Sequence, residues 1–342
     1  MQSKPCFPQL AILITDNCNY KCYYCNLPEF STSKSRDNLT FQEIVRLLSI
    51  AYAKGFRVFR LTGGEPTLRP DLTKIIHAIN NFGNDTTILL GTNGALLGDF
   101  IGDFVGINNL KIFVGLDLVK RKHVGFPKSM TDTLLDNLSV LSKSNFVRIN
   151  MLVMKSNKED VWKMIDICSS LKIDLKLHDL FYSKSIISPD CTSEDFFYKE
   201  YCNVSDLIPR LSCLAAKISN YPENASDCGV PMTCYKIKNI NVIIKDSFKG
   251  SYYAPSCSSC HIYPCLHGLY CPSISFDGTL QPSNCSNKQF QRKIASKTVE
   301  EVEESIDFVV SILNNSKFES IDKSLLNVKN ETQTVNLSSV RP

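Results

Sequence analysis

Three observations predict an α/β protein built on an open array of parallel strands. Short apolar, partly β-branched runs alternate with amphipathic helical segments from residue 10 to about residue 180. Six strands recur in this rhythm, which makes a partial (β/α)6 version of an eight-fold barrel, with its site expected at the C-terminal ends of the strands. The composition is that of a globular chain with ample core material: 342 residues, 43% hydrophobic, 21% charged and 10% aromatic. It excludes disordered, collagen-like and coiled-coil proteins, and against ~150 residues per domain the length suggests about two domains.

The elements follow in order. Leu10 to Thr15 is the first strand. Thr40-Phe41-Gln42-Glu43 is a capping box opening a helix through Ala53, which Gly55 ends. Arg57 to Thr62 is the second strand, and Asp71 to Asn81 a helix with Leu72, Ile75, Ile76 and Ile79 on one face. Thr86 to Leu90 and Lys111 to Leu116 are strands, and the glycine-rich stretch between them is the weakest helix of the series. Ser129 to Ser142 is a helix turning Leu134, Leu135, Leu138 and Leu141 inward. Val147 to Met154, Lys158 to Ser170 and Ile173 to Leu180 complete the series as strand, helix and strand. Residues 183–229 are polar and carry Pro189, Pro209 and Pro222, so they read as a bridge. Thr298-Val299-Glu300-Glu301 opens a last helix with Val302, Ile306, Val309 and Leu313 on one face, and a loosely packed polar tail is expected from Asn314.

The charge balance, 38 basic against 34 acidic, gives no strong signal for a nucleic-acid partner. The basic run Lys120-Arg121-Lys122-His123 reads as a solvated loop. No apolar run approaches the ~20 residues of a membrane helix, and Leu10 to Ile14 is too short for a signal-peptide core. The chain therefore reads as cytoplasmic with no membrane partner.

Fifteen cysteines are the informative feature, because they cluster. In a cytoplasmic chain of this size clustered thiols point to metal rather than disulfides. Cys6, Cys168, Cys191, Cys202, Cys213, Cys228 and Cys234 are scattered and read as small hydrophobes. Cys18, Cys22 and Cys25 form C-x3-C-x2-C directly after the first strand. Three thiolates can wrap one soft metal centre. Structural zinc normally takes four protein ligands, so a zinc site here would need a distant one. A [4Fe–4S] cluster on three cysteines keeps one iron open for another ligand.

This spacing resembles the radical S-adenosylmethionine (SAM) superfamily. Gly63-Gly64-Glu65-Pro66, at the end of the second strand, resembles the motif that meets the amino group of SAM; two glycines allow close backbone approach, and Glu65 can accept from an ammonium. Tyr24 matches the aromatic position beside the adenine, and the resemblance also assigns Gly115 and Phe181 to SAM. It implies a cluster whose open iron chelates SAM, reductive cleavage to a 5′-deoxyadenosyl radical, and hydrogen abstraction from a substrate. A flavodoxin or ferredoxin is the implied electron donor.

The order Arg60-Leu61-Thr62-Gly63-Gly64-Glu65-Pro66, Thr92-Asn93-Gly94, Gly115-Leu116-Asp117, Arg148-Ile149-Asn150 and Val153-Met154-Lys155 resembles the MoaA-like branch, the GTP cyclases of molybdenum cofactor synthesis. Pro231 to Ile237 is similar to the strand leading to that branch's second cluster. The resemblance places Arg60, Thr92 and Arg148 at substrate contacts. The departures are as telling. His261-Ile262-Tyr263-Pro264 replaces an arginine-rich stretch, Ala11 an arginine, Gly115 a serine, and Val340-Arg341-Pro342 a diglycine end. Losing these arginines removes an anion clamp and argues against GTP.

Cys257-x2-Cys260 and Cys285 hold the positions of the second cluster, and Cys265 and Cys271 are additional. With Cys257, Cys260, Cys265 and Cys285 that cluster is closed, as in the SPASM and twitch auxiliary domains of peptide-modifying enzymes; Cys271 competes with Cys265, and a zinc knuckle on the same four thiols is the bland alternative. His261 and His267 read as solvated or packed. The expected organisation is a partial (β/α)6 TIM-like barrel over 8–182, the bridge 183–229, an auxiliary iron–sulfur cluster module over 230–313, and the tail 314–342. The expected function is radical SAM chemistry, with two [4Fe–4S] clusters and SAM, on a substrate from the peptide, sugar or nucleotide classes. GTP cyclisation and a non-catalytic iron–sulfur or zinc-binding protein are the alternatives.

Overall fold

The computed structural model describes residues 9–320 apart from 21, 23, 26–37, 118–127, 181–186, 189–190, 193–198, 222–230, 246–248, 261–262, 264, 266–267, 284 and 286. Phe181, His261, His267 and the run Lys120-Arg121-Lys122-His123 lie outside the described residues. Six strands and their helices alternate as the sequence pattern requires: β1 (Gln9–Thr15), α1 (Phe41–Ala53), β2 (Val58–Gly63), α2 (Leu72–Asn80), β3 (Thr87–Thr92), α3 (Ile101–Phe104), β4 (Leu110–Gly115), α4 (Lys128–Leu141), β5 (Phe146–Val153), α5 (Asp160–Leu171) and β6 (Asp174–Asp179). All neighbouring pairs from β1 to β6 are parallel.

Helix faces follow the apolar period. In α1, Ile44, Leu47, Leu48 and Ala51 are buried, and the expected capping box is formed, with the Thr40 hydroxyl accepting from the Glu43 amide at 3.2 Å and Glu43 accepting from the Thr40 amide at 2.8 Å. Such a cap stabilises a helix by ~1 kcal/mol. The element expected to be weakest is the shortest helix: α3 has four residues, preceded by a 3-10 turn at Leu97–Phe100. Glycines at 91, 94, 98 and 102 leave this stretch little side-chain surface to bury.

Beyond β6 come a two-residue pair, β7 (Ile187–Ser188) and β8 (Cys191–Thr192), then α6 (Ile208–Leu214), β9 (Lys217–Tyr221), β10 (Met232–Ile237), β11 (Ile240–Lys245), β12 (Ser251–Tyr253), β13 (Pro272–Ile274), β14 (Thr279–Pro282), β15 (Arg292–Lys293), α7 (Val299–Asn314) and β16 (Lys317–Glu319). Among the described residues the main sheet has twelve strands in the order β15-β14-β13-β1-β2-β3-β4-β5-β6-β11-β10-β9, with β15 and β9 at its edges. The C-terminal part thus extends both edges of the six-strand array: β13 runs parallel to β1, and β11 runs parallel to β6. The polar bridge contributes α6 and the edge strand β9. The tail departs from expectation at its start, since Lys317–Glu319 pairs antiparallel with β12 and Phe318 packs edge-on against Tyr252, with ring centroids 5.5 Å apart.

Candidate active site

The C-terminal ends of β1 to β5 converge on the first cysteine loop. After Thr15 the chain turns through Asp16, which exchanges hydrogen bonds with Asn38, and reaches Cys18. The glycines of β2 clasp this turn: the Gly64 amide donates to the Thr15 carbonyl at 2.8 Å, and the Glu65 amide to that of Asn17 at 2.7 Å. A Cβ on Gly63 would sit 2.3 Å from the Thr15 oxygen, and one on Gly64 2.0 Å from the Asn17 oxygen. The close approach expected toward a ligand is here made to the protein's own backbone. Gly63 also holds φ +130°, open to glycine alone at no cost.

Glu65 is 1% exposed and ties three loops together. Its Oε1 accepts from the Thr67 amide and hydroxyl and from the Thr92 hydroxyl, and its Oε2 from the Asn93 amide at 2.6 Å. A carboxylate offers about four acceptor directions, two per oxygen, so Oε2 keeps one. Thr92, expected at the substrate, is buried, and its hydroxyl both donates to Glu65 and accepts from the Gly94 amide at 3.0 Å. It positions Glu65. The Tyr24 hydroxyl donates to Asp117 Oδ2 at 2.9 Å, and Asp117 Oδ1 takes the Leu152 amide at 3.0 Å, so the cysteine loop is moored to β5. Gly115 ends β4 exposed, and a Cβ there would meet nothing nearer than the Thr92 oxygen at 3.9 Å.

The three thiols share one electrostatic neighbourhood. Burial raises the Cys18 thiol, and Glu65 and Cys25 add to the rise; burial and then Cys25 push Cys22 up to about 12. A cation among them would reverse this, since thiolate is the ligating form. Among the described residues no three His, Cys, Asp or Glu side chains stand close enough together to hold a metal ion as they are. The donor chemistry, three thiols on one loop with Cys18 and Cys25 exposed, fits a soft centre with a free position.

The late cysteines sort into two directions. Burial raises the Cys257 thiol, with Cys265 and Cys260 adding to it, and pushes Cys285 to about 11, with Cys257, Cys265 and Cys260 adding. These four therefore lie in one another's field. Tyr253 caps the group by donating to the Cys265 carbonyl at 2.6 Å, and Tyr263, whose ring meets Tyr253 edge-on, hydrogen-bonds Glu319 of β16. Cys271 instead accepts from Gln9 Nε2 of β1 at 3.5 Å and acts on Lys245.

The inner face of the sheet is cationic. Arg60 on β2, Arg148 on β5, Lys176 and His178 on β6 and Lys245 on β11 alternate with core residues such as Leu61, Ile149, Leu175, Leu177 and Ile244. Arg148 is 6% exposed, lies 3.9 Å over the Phe113 ring and bonds Asn150 Oδ1 at 3.1 Å; burial lowers its guanidinium to about 10. Burial likewise lowers Lys176, takes Lys245 to about 8 and His178 to about 3, and each of these feels Arg60. The family resemblance marks Arg60 and Arg148 but not Lys176, His178 and Lys245. The signal that could have found these three is charge at alternate positions of otherwise apolar strands.

The cysteine loop, clasped by a glycine pair, thus lies at the C-terminal edge of an open array of parallel strands. The model of the radical SAM superfamily matches residues 12–168 of the chain. It is 28% identical to the GTP 3',8-cyclase of Campylobacter jejuni over 173 residues, 49% of this chain and 54% of that relative. The chain thus spans about half the length of the first curated relatives it matches. It is 22% identical to the GTP 3',8-cyclase of Aliarcobacter butzleri over 319 residues, 90% of this chain and 88% of that one. SuiB of Streptococcus suis, bound to S-adenosylmethionine, superposes with a TM-score of 0.58 at 16% identity, over 86% of this chain and 65% of SuiB. SuiB has also been solved bound to precursor peptide SuiA. At that identity the likeness speaks for the fold.

Proposed function

We propose that Cys18, Cys22 and Cys25 hold a [4Fe–4S] cluster with an open iron for SAM, and that the barrel interior holds the substrate. When bound and reduced, the pair supplies a 5′-deoxyadenosyl radical that abstracts hydrogen from the substrate. The observation that carries the reading is the clasp of Gly63, Gly64 and Glu65 on the backbone of residues 15–17, which anchors the three-thiol loop at the mouth of the barrel. The free direction of Glu65 Oε2 suits an ammonium, the Tyr24 ring suits the adenine, and Gly115 leaves room at the end of β4. Phe181 is retained as a SAM contact on the resemblance alone.

A second [4Fe–4S] cluster is proposed on Cys257, Cys260, Cys265 and Cys285, closed by four thiolates and so relaying electrons rather than chelating substrate. A flavodoxin or ferredoxin is the proposed donor. GTP cyclisation is the second reading, favoured by the names of the curated relatives. Ala11 and the loss of the arginine stretch after Cys260 weigh against it. The test is anaerobic reconstitution, reduction with dithionite and chromatographic measurement of 5′-deoxyadenosine. The intact chain should form it and the triple Cys→Ala variant at 18, 22 and 25 should not; equal formation by both refutes the reading.

A further inference from the structure

The strand that opens the tail, β16, lies against the late thiol group although all three of its residues are exposed. It is delivered by α7, which buries Val302, Ile306, Val309 and Leu313 and is tied to α1 by Lys54 and Asp307, 2.7 Å apart. Between α7 and β16, the Ser316 amide and hydroxyl both donate to the Leu313 carbonyl, at 3.1 and 2.6 Å, so the strand leaves a fixed point. Among the described residues β16 is the only ladder partner of β12, with Ser251 opposite Glu319, Tyr252 opposite Phe318 and Tyr253 opposite Lys317. Gly250, just before β12, holds φ +111°, and a Cβ there would lie 2.1 Å from the Glu319 carbonyl oxygen and 2.8 Å from Ser320 Cα. The two backbones meet more closely than any side chain at 250 allows.

From β12 this contact passes to the thiols. Tyr253, 1% exposed, donates its hydroxyl to the Cys265 carbonyl at 2.6 Å. Ala254 follows, and its carbonyl accepts the Cys257 amide at 2.8 Å within the turn at Pro255–Ser259. Leu269, beyond Cys265, donates its amide to the Tyr252 carbonyl at 2.8 Å. Tyr263 completes the arrangement. Its amide donates to the Cys260 carbonyl at 3.0 Å, its ring meets that of Tyr253 edge-on at 5.2 Å, and its hydroxyl donates to the Glu319 carboxylate. Burial raises the Cys257 thiol, and Glu319 is among the charges that add to the rise. The segments bearing Cys257, Cys260 and Cys265 are thus tied to β12 or to Tyr263, and both of these are tied to β16. A two-stranded pair this short is marginal by itself in water, so it depends on the rings of Phe318 and Tyr252 and on the bond between Tyr263 and Glu319.

We propose that β16 is a strap that holds the chain segments bearing the late thiols in one place, and that Glu319 is its positioning residue, acting through Tyr263. The proposal rests on the reading of Cys257, Cys260, Cys265 and Cys285 as one metal centre. Segments with few ladder bonds of their own open locally far more often than the whole fold does, and each opening would expose a ligand. The strap opposes that opening by joining these segments to α7, a helix packed into the core. A carboxylate suits the position, because a phenol donating to an ionised acceptor makes a stronger bond than one donating to a neutral group.

The experiment is labelling of the anaerobically purified full chain with N-ethylmaleimide, each modified cysteine being followed by peptide mass spectrometry. Cys257 is buried and reacts through opening of its own segment, while Cys168, fully buried on α5, reports opening of the whole fold. Gly250→Ala should speed Cys257 labelling roughly 10-fold, and Glu319→Ala roughly 2- to 10-fold, with Cys168 unchanged. Glu319→Gln, whose amide oxygen still accepts from Tyr263, should label more slowly than Glu319→Ala. Tyr263→Phe should match Glu319→Ala, and the double variant should be no faster than either, because both remove the same bond. Equal Cys257 rates in the intact chain, Gly250→Ala and Glu319→Ala overturn the proposal. So does a Cys168 rate that rises in step with that of Cys257, or a double variant in which the two effects multiply. Should Gly250→Ala not fold, the Glu319 and Tyr263 variants carry the test. Labelling needs no bound metal, and iron counting on the same samples tests the reading of the thiols separately. About four irons per chain with faster labelling in the strap variants keeps the strap and refutes the second cluster, and about eight irons with unaltered labelling does the reverse.

Discussion

Replacing Gly64 by Ala should unseat the first cysteine loop without touching a thiol. The new Cβ would lie 2.0 Å from the Asn17 oxygen, 2.5 Å from its carbonyl carbon and 2.8 Å from the Asp16 oxygen. All three are backbone atoms, so no side chain can swing aside, and the turn must move by about an ångström to restore ordinary contact. That movement opens the hydrogen bonds from Gly64 to Thr15 and from Glu65 to Asn17. Overpacking costs ~1–3 kcal/mol, and each backbone bond adds about 0.5–1.5 kcal/mol. The sum is roughly 2–6 kcal/mol, or a fall of about 3–8 °C in melting temperature for a chain this long. Gly102→Ala is the matched control, since its Cβ meets nothing within 4 Å and a helical alanine is favoured over glycine. The assay is calorimetry on anaerobically purified protein, with iron counted per chain. If Gly64→Ala melts within a degree of the intact chain and retains all its iron, the clasp does not hold the loop and the reasoning fails.

The other predictions concern the interior and the second thiol group. Glu65→Gln places an NH2 donor against the Thr67, Thr92 and Asn93 donors and should cost ~2–4 kcal/mol by urea unfolding. Iron and sulfide counts should fall from roughly eight to roughly four irons per chain in Cys265→Ala, with Cys271→Ala retaining all of them, one four-iron centre being lost in the first case; the opposite pattern would move the fourth ligand to Cys271. His178 faces Lys176, Lys245, Arg60 and Arg148, with Asp179 beyond Lys245, and stays neutral in the fold down to about pH 3. The unfolded histidine gains its proton near pH 6.5, so the unfolded state binds more protons below that pH and stability falls as pH falls. Between pH 7 and 5.5 this contributes a loss of about 1 kcal/mol, which His178→Asn should abolish in paired urea titrations.

The elements of this chain were legible in sequence wherever a local rule decides them. The capping boxes at Thr40 and Thr298 are formed as written, because a cap needs only residues three apart. The 3.6-residue period of α2 and the glycine weakness of α3 likewise act within one segment. The cysteine spacing marked both thiol groups for the same reason. Tertiary structure alone decided which strands become neighbours. Alternation assigns Lys176 and His178 to one face of β6, but only the placement of β11 against β6 brings Lys245 to them, and only the six-strand curvature lets Arg60 act on all three. The pairing of β13 with β1 brings Cys271 to Gln9, while Cys257, Cys260 and Cys265 act electrostatically on Cys285, groupings that spacing does not dictate. Gly63 and Gly64 show the same division. Sequence marks a backbone that must come close to something, and the fold reveals that this something is the carbonyls of Thr15 and Asn17, because nonlocal pairing sets which backbones meet while local rules set only the shape each brings.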